Sequence, residues 1–514
     1  MKKTEHWEVR KLAAQCIIPR LDIEKFHQEN EYKDEIIKLT ESGIGGFCIF
    51  SGNCDLVEKA TSYLQSLAEI PLIFAADFEN GLSMRLDDGT AFPHAMALGI
   101  ADDAKLTEET ATAIAKEAKD IGVHWNLAPV CDINSNPRNP IINIRSFGQT
   151  SEIVSKHILA YIKGTQAENV AATAKHFPGH GNTTIDSHIE LPIIDCSLNE
   201  LYENEIIPFR AAIESNVKSI MVGHLLVKSI DESKPAPLSE KVIKLHIREK
   251  LGFDGLVLTD ALDMKSVSQK YSPSKLLLLA LSAGNDILLM PENPIDAISI
   301  VEQAIEKSEE LHEQVISSVR KILSLKRFCG LIPSFAKNET KLNTWMKHTN
   351  LALRVAIKSI KSDVPESDLP IDSSKQYAAF SIIQNDYDMQ AASRFFTMLA
   401  QATENDCDYG YLDTNISDED TQKLVENIEN AEFLIFAIFS KGRAYQGSIE
   451  ISDKINNIIE KISNGRKKYV IIFGYPHFAK ELECGNIIYC YSDSFPSIAA
   501  AIMKLTGREL PENY

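Results

Sequence analysis

The stretch Val170-Ala171-Ala172-Thr173-Ala174, running into Lys175-His176-Phe177-Pro178-Gly179-His180-Gly181-Asn182-Thr183-Thr184-Ile185-Asp186-Ser187-His188, decides how this chain folds. A short, mostly apolar run reads as a buried strand, and here it gives way at once to charged and polar side chains. Pro178, Gly179 and Gly181 deny the polar part a regular helix or strand, so it forms a long irregular loop. A buried strand that ends on polar groups and opens a loop is the repeating unit of a βα barrel, whose C-terminal strand ends share one mouth.

The same cycle recurs on both sides of that stretch, from residue 40 to 290, with amphipathic helices and Gly- or Pro-containing turns between apolar runs. Those runs are Gly46 to Phe50, Leu72 to Ala76, Val123 to Ala128, Ser219 to Val222, Leu256 to Leu258 and Ile287 to Met290. Several end on polar groups: Ser51, Asp77, Lys175 with His176, His224 and Asp260. Any one of these could simply cap the next helix. Together they predict a TIM-type (β/α)8 barrel with a polar site at its mouth.

The barrel pattern stops after Arg327, and the catalytic barrel is assigned to residues 1–335. A polar connection with one amphipathic helix, near Leu342 to Lys361, fills residues 336–375. Residues 376–514 repeat a strand and helix alternation, with strands at Ala378 to Ile383, Phe433 to Ile438, Tyr469 to Phe473 and Ile487 to Cys490. This predicts a smaller α/β domain, an αβα sandwich. It carries no GxGxxG and no P-loop, so no cofactor is expected.

With 514 residues, 44% of them hydrophobic and 24% charged, the chain has the composition of a packed two-domain protein. Its net charge of -19 opposes binding to a phosphate backbone, which excludes nucleic acid as the expected partner. Nine cysteines stand singly without a CxxC pair, the pattern of reduced thiols rather than of a zinc or disulfide framework. Charges at Glu5, Glu8, Arg10 and Lys11 interrupt any signal-peptide core, and no apolar run is long enough to span a membrane. A cytoplasmic protein is expected.

Within the Lys175 to His188 loop, Asp186 and His188 are two apart, so in extended chain they point the same way. A neighbouring carboxylate favours the protonated imidazole, which suits His188 to proton donation near neutral pH. His176, His180 and His188 also suggest metal ligation, but neither Cys pairs nor an H-E-x-x-H helix accompanies them, and no metal is expected. Hydrogen bonding within the loop is the plainer role for His180. Asp260 ends a buried strand, where a carboxylate can attack an anomeric carbon; the competing reading is a helix cap, a task open also to Asp263.

Asp77-Phe78-Glu79-Asn80-Gly81-Leu82-Ser83-Met84-Arg85 opens a second loop, and Arg145-Ser146-Phe147-Gly148 closes a Pro- and Asn-rich loop from Pro129 to Asn143. Such carboxylates and cations suit sugar hydroxyls and an acetamide. Glu79 and Arg85 could alternatively form a structural ion pair.

These three segments, taken in order with Gly252 to Met264, resemble glycoside hydrolase family 3, and within it the β-N-acetylglucosaminidase branch. The resemblance implies that Asp260 is the nucleophile of a retaining hydrolase and that His188, assisted by Asp186, is its general acid/base. It also implies that Asp77, Arg85, Arg145, Lys175 and His176 bind the terminal sugar, so that the expected partner is a carbohydrate carrying β-linked N-acetylglucosamine, such as a peptidoglycan fragment. The Gly-His-Gly…Asp-x-His loop is what selects this branch over the family's β-glucosidases. Asn80-Gly81-Leu82-Ser83 departs from the more usual Gly-Gly-Arg-Val. Because a neutral imidazole does not repel an incoming anion as a carboxylate does, phosphorolysis is the alternative outcome, and another family 3 β-glycosidase or an idle sugar-binding protein a further one.

Overall fold

In the computed structural model, residues 7–183, 190–332, 345–383, 388–404, 408–413, 416–441, 453–482 and 484–509 are described. Strands Arg20–Leu21, Gly46–Ile49, Ile73–Ala76, Trp125–Asn126, Ala171–Phe177, Ser219–Val222 and Leu256–Thr259 lie side by side in one sheet, every pair parallel. Leu288–Leu289 extends the sheet through a bridge between Leu258 and Ile287 and pairs in parallel with Ile17–Ile18, just ahead of Arg20. The sheet therefore closes on itself as a (β/α)8 barrel.

The closing strand, residues 17–21, is not among the apolar runs read from the sequence. Pro19 interrupts its ladder because it has no N–H to donate, and the exposed Arg20 breaks its apolar run. Inside the barrel the fully buried Trp125 donates its indole N–H to Thr173 Oγ1 at 2.9 Å and Ser219 Oγ at 3.0 Å. Phe47 and Phe74 stack beside one another at 6.2 Å on adjacent strands. Outside, helices Ala104–Asp120 and Ser151–Ala167 pack so closely that a Cβ on Gly164 would come within 2.3 Å of the Glu108 carbonyl.

The second sheet has six strands, ordered Lys361–Ser362, Ile487–Tyr489, Lys467–Gly474, Phe433–Ser440, Tyr377–Ile383 and Asp408–Asp413. All neighbours are parallel except the first pair. Side chains alternate across it as the pleat requires: Tyr377 and Ala379 join one apolar layer, and Ala378, Phe380 and Ile382 the other. Helices Asp388–Thr403 and Phe495–Thr506 cover the first layer, and Asp418–Asn427 and Asp453–Ser463 the second, an αβα sandwich.

Helix Met346–Ser359 joins the two units, with Leu351 and Val355 in the barrel's core and Leu353 against the sandwich. His348 Nδ1 lies 2.7 Å from the buried Glu117 carboxylate on the barrel side. No helix among the described residues is long and apolar enough to cross a membrane.

Candidate active site

Three strand ends build the mouth. Asp77 follows Ile73–Ala76, Lys175 and His176 lie within Ala171–Phe177, and Asp260 follows Leu256–Thr259. Lys175 is 2% exposed, an unusual burial for an ammonium, and its Nζ bonds Asp77 Oδ1 at 2.7 Å and Glu79 Oε1 at 2.7 Å. Arg85 reaches the other Asp77 oxygen at 2.7 Å, and its guanidinium lies 3.9 Å above the Phe50 ring. Arg145 grips Glu79 with two bonds, from Nε at 2.9 Å and NH2 at 2.7 Å.

This arrangement replaces the Glu79 and Arg85 pairing that the sequence allowed. Arg85 serves Asp77, while Glu79 ties Arg145 to Lys175. Burial works against the charged form of each carboxyl here, but the cations outweigh it. Lys175 and Arg85 hold Asp77 down at about 2, and Arg145 and Lys175 keep Glu79 well below the usual range. Burial likewise opposes the charge on Lys175, and the two carboxylates push its affinity for the proton up nonetheless. The result is a water-poor lattice of fixed charges whose outer edge can meet a polyhydroxylated ligand.

His176 faces Asp132, a fully buried residue that the sequence reading passed over inside the Pro129 to Asn143 loop. Asp132 accepts from His176 Nδ1 at 2.8 Å, from the His176 backbone N–H, and from the His180 backbone N–H at 2.7 Å. Burial raises its carboxyl, but His176 and the other donors bring it below the ordinary value, so it is an acceptor only. Nδ1 of His176 therefore carries the proton, and the ring is held in one orientation.

The loop that follows is pinned through residue 183. Asn139 Nδ2 donates to the carbonyls of His180 at 2.8 Å and Gly181 at 3.0 Å, and Thr183 Oγ1 lies 3.0 Å from His180 Nδ1. His180 is buried, and burial lowers its pKa to about 4, so it is neutral and holds the loop by hydrogen bonds. A Cβ on Gly181 would strike the Ile133 carbonyl, so only glycine lets the two loops meet. Asp186 and His188 lie outside the described residues.

Asp260 is half-buried, and its Oδ1 accepts the backbone N–H of Ala261 at 2.8 Å. The next carbonyl, that of Ala261, lies 2.8 Å from Nε2 of the buried His224, which closes the neighbouring strand. His224 thus fixes the backbone beside Asp260, a role its strand-end position hinted at without revealing. Neither acid caps a helix: the short helix Lys265–Ser268 has no side-chain cap, and Asp263 pairs with Arg20 at 3.3 Å. Burial and then the nearby Asp260 charge raise the Asp263 carboxyl, partly offset by Arg20.

Among the described residues no group of three or more His, Cys, Asp or Glu side chains is placed to hold a metal ion. A cleft of about 910 Å³ between barrel and sandwich, lined by Asp87, Trp345, Arg394 and Phe495, contains none of the residues above.

A barrel with acids and cations gathered at its strand ends defines a class, and comparison with known proteins gives the family. The glycosyl hydrolase family 3 N-terminal domain matches residues 13–325, and the chain belongs to that family. It is 31% identical over 375 residues to β-hexosaminidase A of Pseudoalteromonas piscicida, covering 66% of this chain and 62% of that protein. A β-N-acetylglucosaminidase/β-glucosidase of Cellulomonas fimi is 30% identical over 298 residues, covering 56% of this chain and 53% of the relative. The chain thus spans less than two thirds of the length of these two curated relatives. Among solved structures, a glycoside hydrolase family 3 β-N-acetylglucosaminidase from Paenibacillus sp. str. FPU-7 superposes with a TM-score of 0.83 and 27% identity, over 98% of both chains.

Proposed function

We propose that this chain is a retaining exo-β-N-acetylglucosaminidase acting on terminal β-linked N-acetylglucosamine of peptidoglycan fragments or related glycosides. The observation that supports it best is the lattice of Asp77, Glu79, Lys175, Arg85 and Arg145 at the same barrel mouth as Asp260. Charge-assisted groups of this kind bind hydroxyls and reject ligands that lack them. The β-hexosaminidase relatives point the same way.

In this reading Asp260 attacks the anomeric carbon while His188 protonates the leaving oxygen, and the C1–O bond breaks as the C1–O(Asp260) bond forms. Water then enters with His188 as base, helped by Asp186, and the product keeps the β configuration.

Release of p-nitrophenol from its β-N-acetylglucosaminide tests the reading, with the initial product anomer read by NMR. Asp260→Gly abolishes turnover but retains sugar binding. His188→Ala loses least with activated aryl leaving groups, which need little protonation. An α product, or equal losses on activated and natural substrates, overturns the assigned roles. N-acetylglucosamine 1-phosphate formed in phosphate buffer would move the chain to the phosphorylases.

A further inference from the structure

The second domain touches the barrel just behind the sugar-binding arginine. Arg145 ends the short turn Asn143–Arg145, whose first residue sits at a φ of 41°, a left-handed conformation that a non-glycine side chain adopts at a cost. A turn held in that shape needs support from its surroundings. Part is local: Asn143 Oδ1 accepts the Ile144 N–H at 2.8 Å, and Arg145 N–H bonds the Ile142 carbonyl at 2.7 Å.

Glu79 and the barrel loops hold it from one side, and the sandwich adds support from the other. Ile144, 1% exposed, packs in one small apolar cluster with Met96 from the barrel and Tyr475 from the second domain, and Ile100 and Tyr491 border it. Tyr475 follows the strand Lys467–Gly474, and its hydroxyl accepts a hydrogen bond from Gln149 Nε2 at 2.6 Å, four residues past Arg145. Between them lies helix Ala95–Ala101. It is backed by Ser492, whose Oγ is 2.9 Å from His94 Nδ1. On its other side it presses on the carbonyl of Phe147 so tightly that a Cβ on Gly99 would collide with it.

From this we infer that the second domain is a working part of the sugar site: Tyr475, with helix Ala95–Ala101, is a positioning residue that holds the 143–149 segment and so aims Arg145. The inference rests on the proposed reading of Arg145 as a sugar ligand. The αβα sandwich then acts on substrate affinity without contributing a group that touches the substrate.

The test uses the full chain with Tyr475→Ala, Tyr475→Phe and the control Lys358→Ala, which breaks a contact to Asp103 elsewhere on the same domain boundary. Tyr475→Ala raises KM for p-nitrophenyl β-N-acetylglucosaminide by about tenfold while kcat stays within about twofold, the signature of lost binding alignment. Tyr475→Phe recovers most of the loss because the ring remains, and Lys358→Ala leaves KM unchanged. In an Arg145→Lys background, Tyr475→Ala adds no further loss, since both changes act through one guanidinium.

Hydrogen exchange supplies a readout that needs no turnover: amides of 143–149 exchange about tenfold faster in Tyr475→Ala, while those of the barrel strands do not change. Unchanged exchange in 143–149 overturns the buttress whatever the activity. A wild-type chain inert toward the glycoside sinks the sugar reading alone. Equal KM effects from Lys358→Ala and Tyr475→Ala also overturn the inference, because they would reduce it to general interface loss.

Discussion

His176 Nδ1 and Asp132 Oδ2 stand 2.8 Å apart, joining a barrel strand to a carboxylate that no solvent reaches. Asparagine at 132 keeps the volume but offers one acceptor where the aspartate offers two, so one of three converging N–H groups loses its partner. Asp132→Asn is expected to raise KM for the p-nitrophenyl glycoside by about tenfold, with a smaller fall in kcat. Asp132→Ala strands all three donors and lowers unfolding free energy by about 3 kcal/mol, read from urea midpoints.

Glu79 is the joint between two cations. Glu79→Gln leaves Lys175 and Arg145 buried with one fewer countercharge, and breaking a buried pair by removing one partner costs about 3–5 kcal/mol. The variant should melt earlier and lose kcat/KM together. Full retention of both would show that Arg145 and Lys175 are held by other groups.

Glu205 introduces a pH term. Burial, then the nearby Asp132 charge, raises its carboxyl from 4.5 to about 7, and its Oε2 has no hydrogen-bond partner among the described residues. The folded state therefore binds a proton that the unfolded state releases, and stability falls as pH rises from about 4.5 to about 7. Glu205→Gln removes that decline. It should be more stable than wild type by about 1–3 kcal/mol at pH 8, with the gain vanishing near pH 4.5. A constant difference across pH would reject the assignment.

Lys326 gives the opposite slope at another position. It is fully buried, its Nζ donates to Gln15 Oε1 at 2.8 Å, and burial lowers its pKa from 10.5 to about 7. Between those values the unfolded chain binds more protons, so stability rises with pH. Lys326→Met abolishes the rise. The difference between wild type and variant in urea unfolding should grow in favour of wild type by about 2–4 kcal/mol from pH 7 to pH 10.

What the sequence disclosed follows from range. Runs such as Leu256 to Leu258 and Phe433 to Ile438 are buried on both faces, so local composition marks them as strands. Residues 17–21 do not show this mark because Pro19 and Arg20 interrupt the run, and Asp408–Asp413 does not because an edge strand tolerates Asp, Tyr and Gly. Asp77, Lys175 and Asp260 stand at strand ends, where position alone draws notice. Asp132 lies amid a loop, and its role appears only when barrel closure brings His176 to it from 44 residues away. Glu79 finds Arg145 across 66 residues for the same reason, which no local spacing foretells.

Trp125 sets one more property of the molecule. With its indole filling the barrel and bonded to Thr173 and Ser219, the barrel is a cup and not a tube. On the proposed reading, a ligand that enters past Asp77 and Asp260 leaves by the same rim. A polymer cannot be threaded through such a vessel. In the role proposed above, the released sugar must then clear the same opening by which its parent arrived.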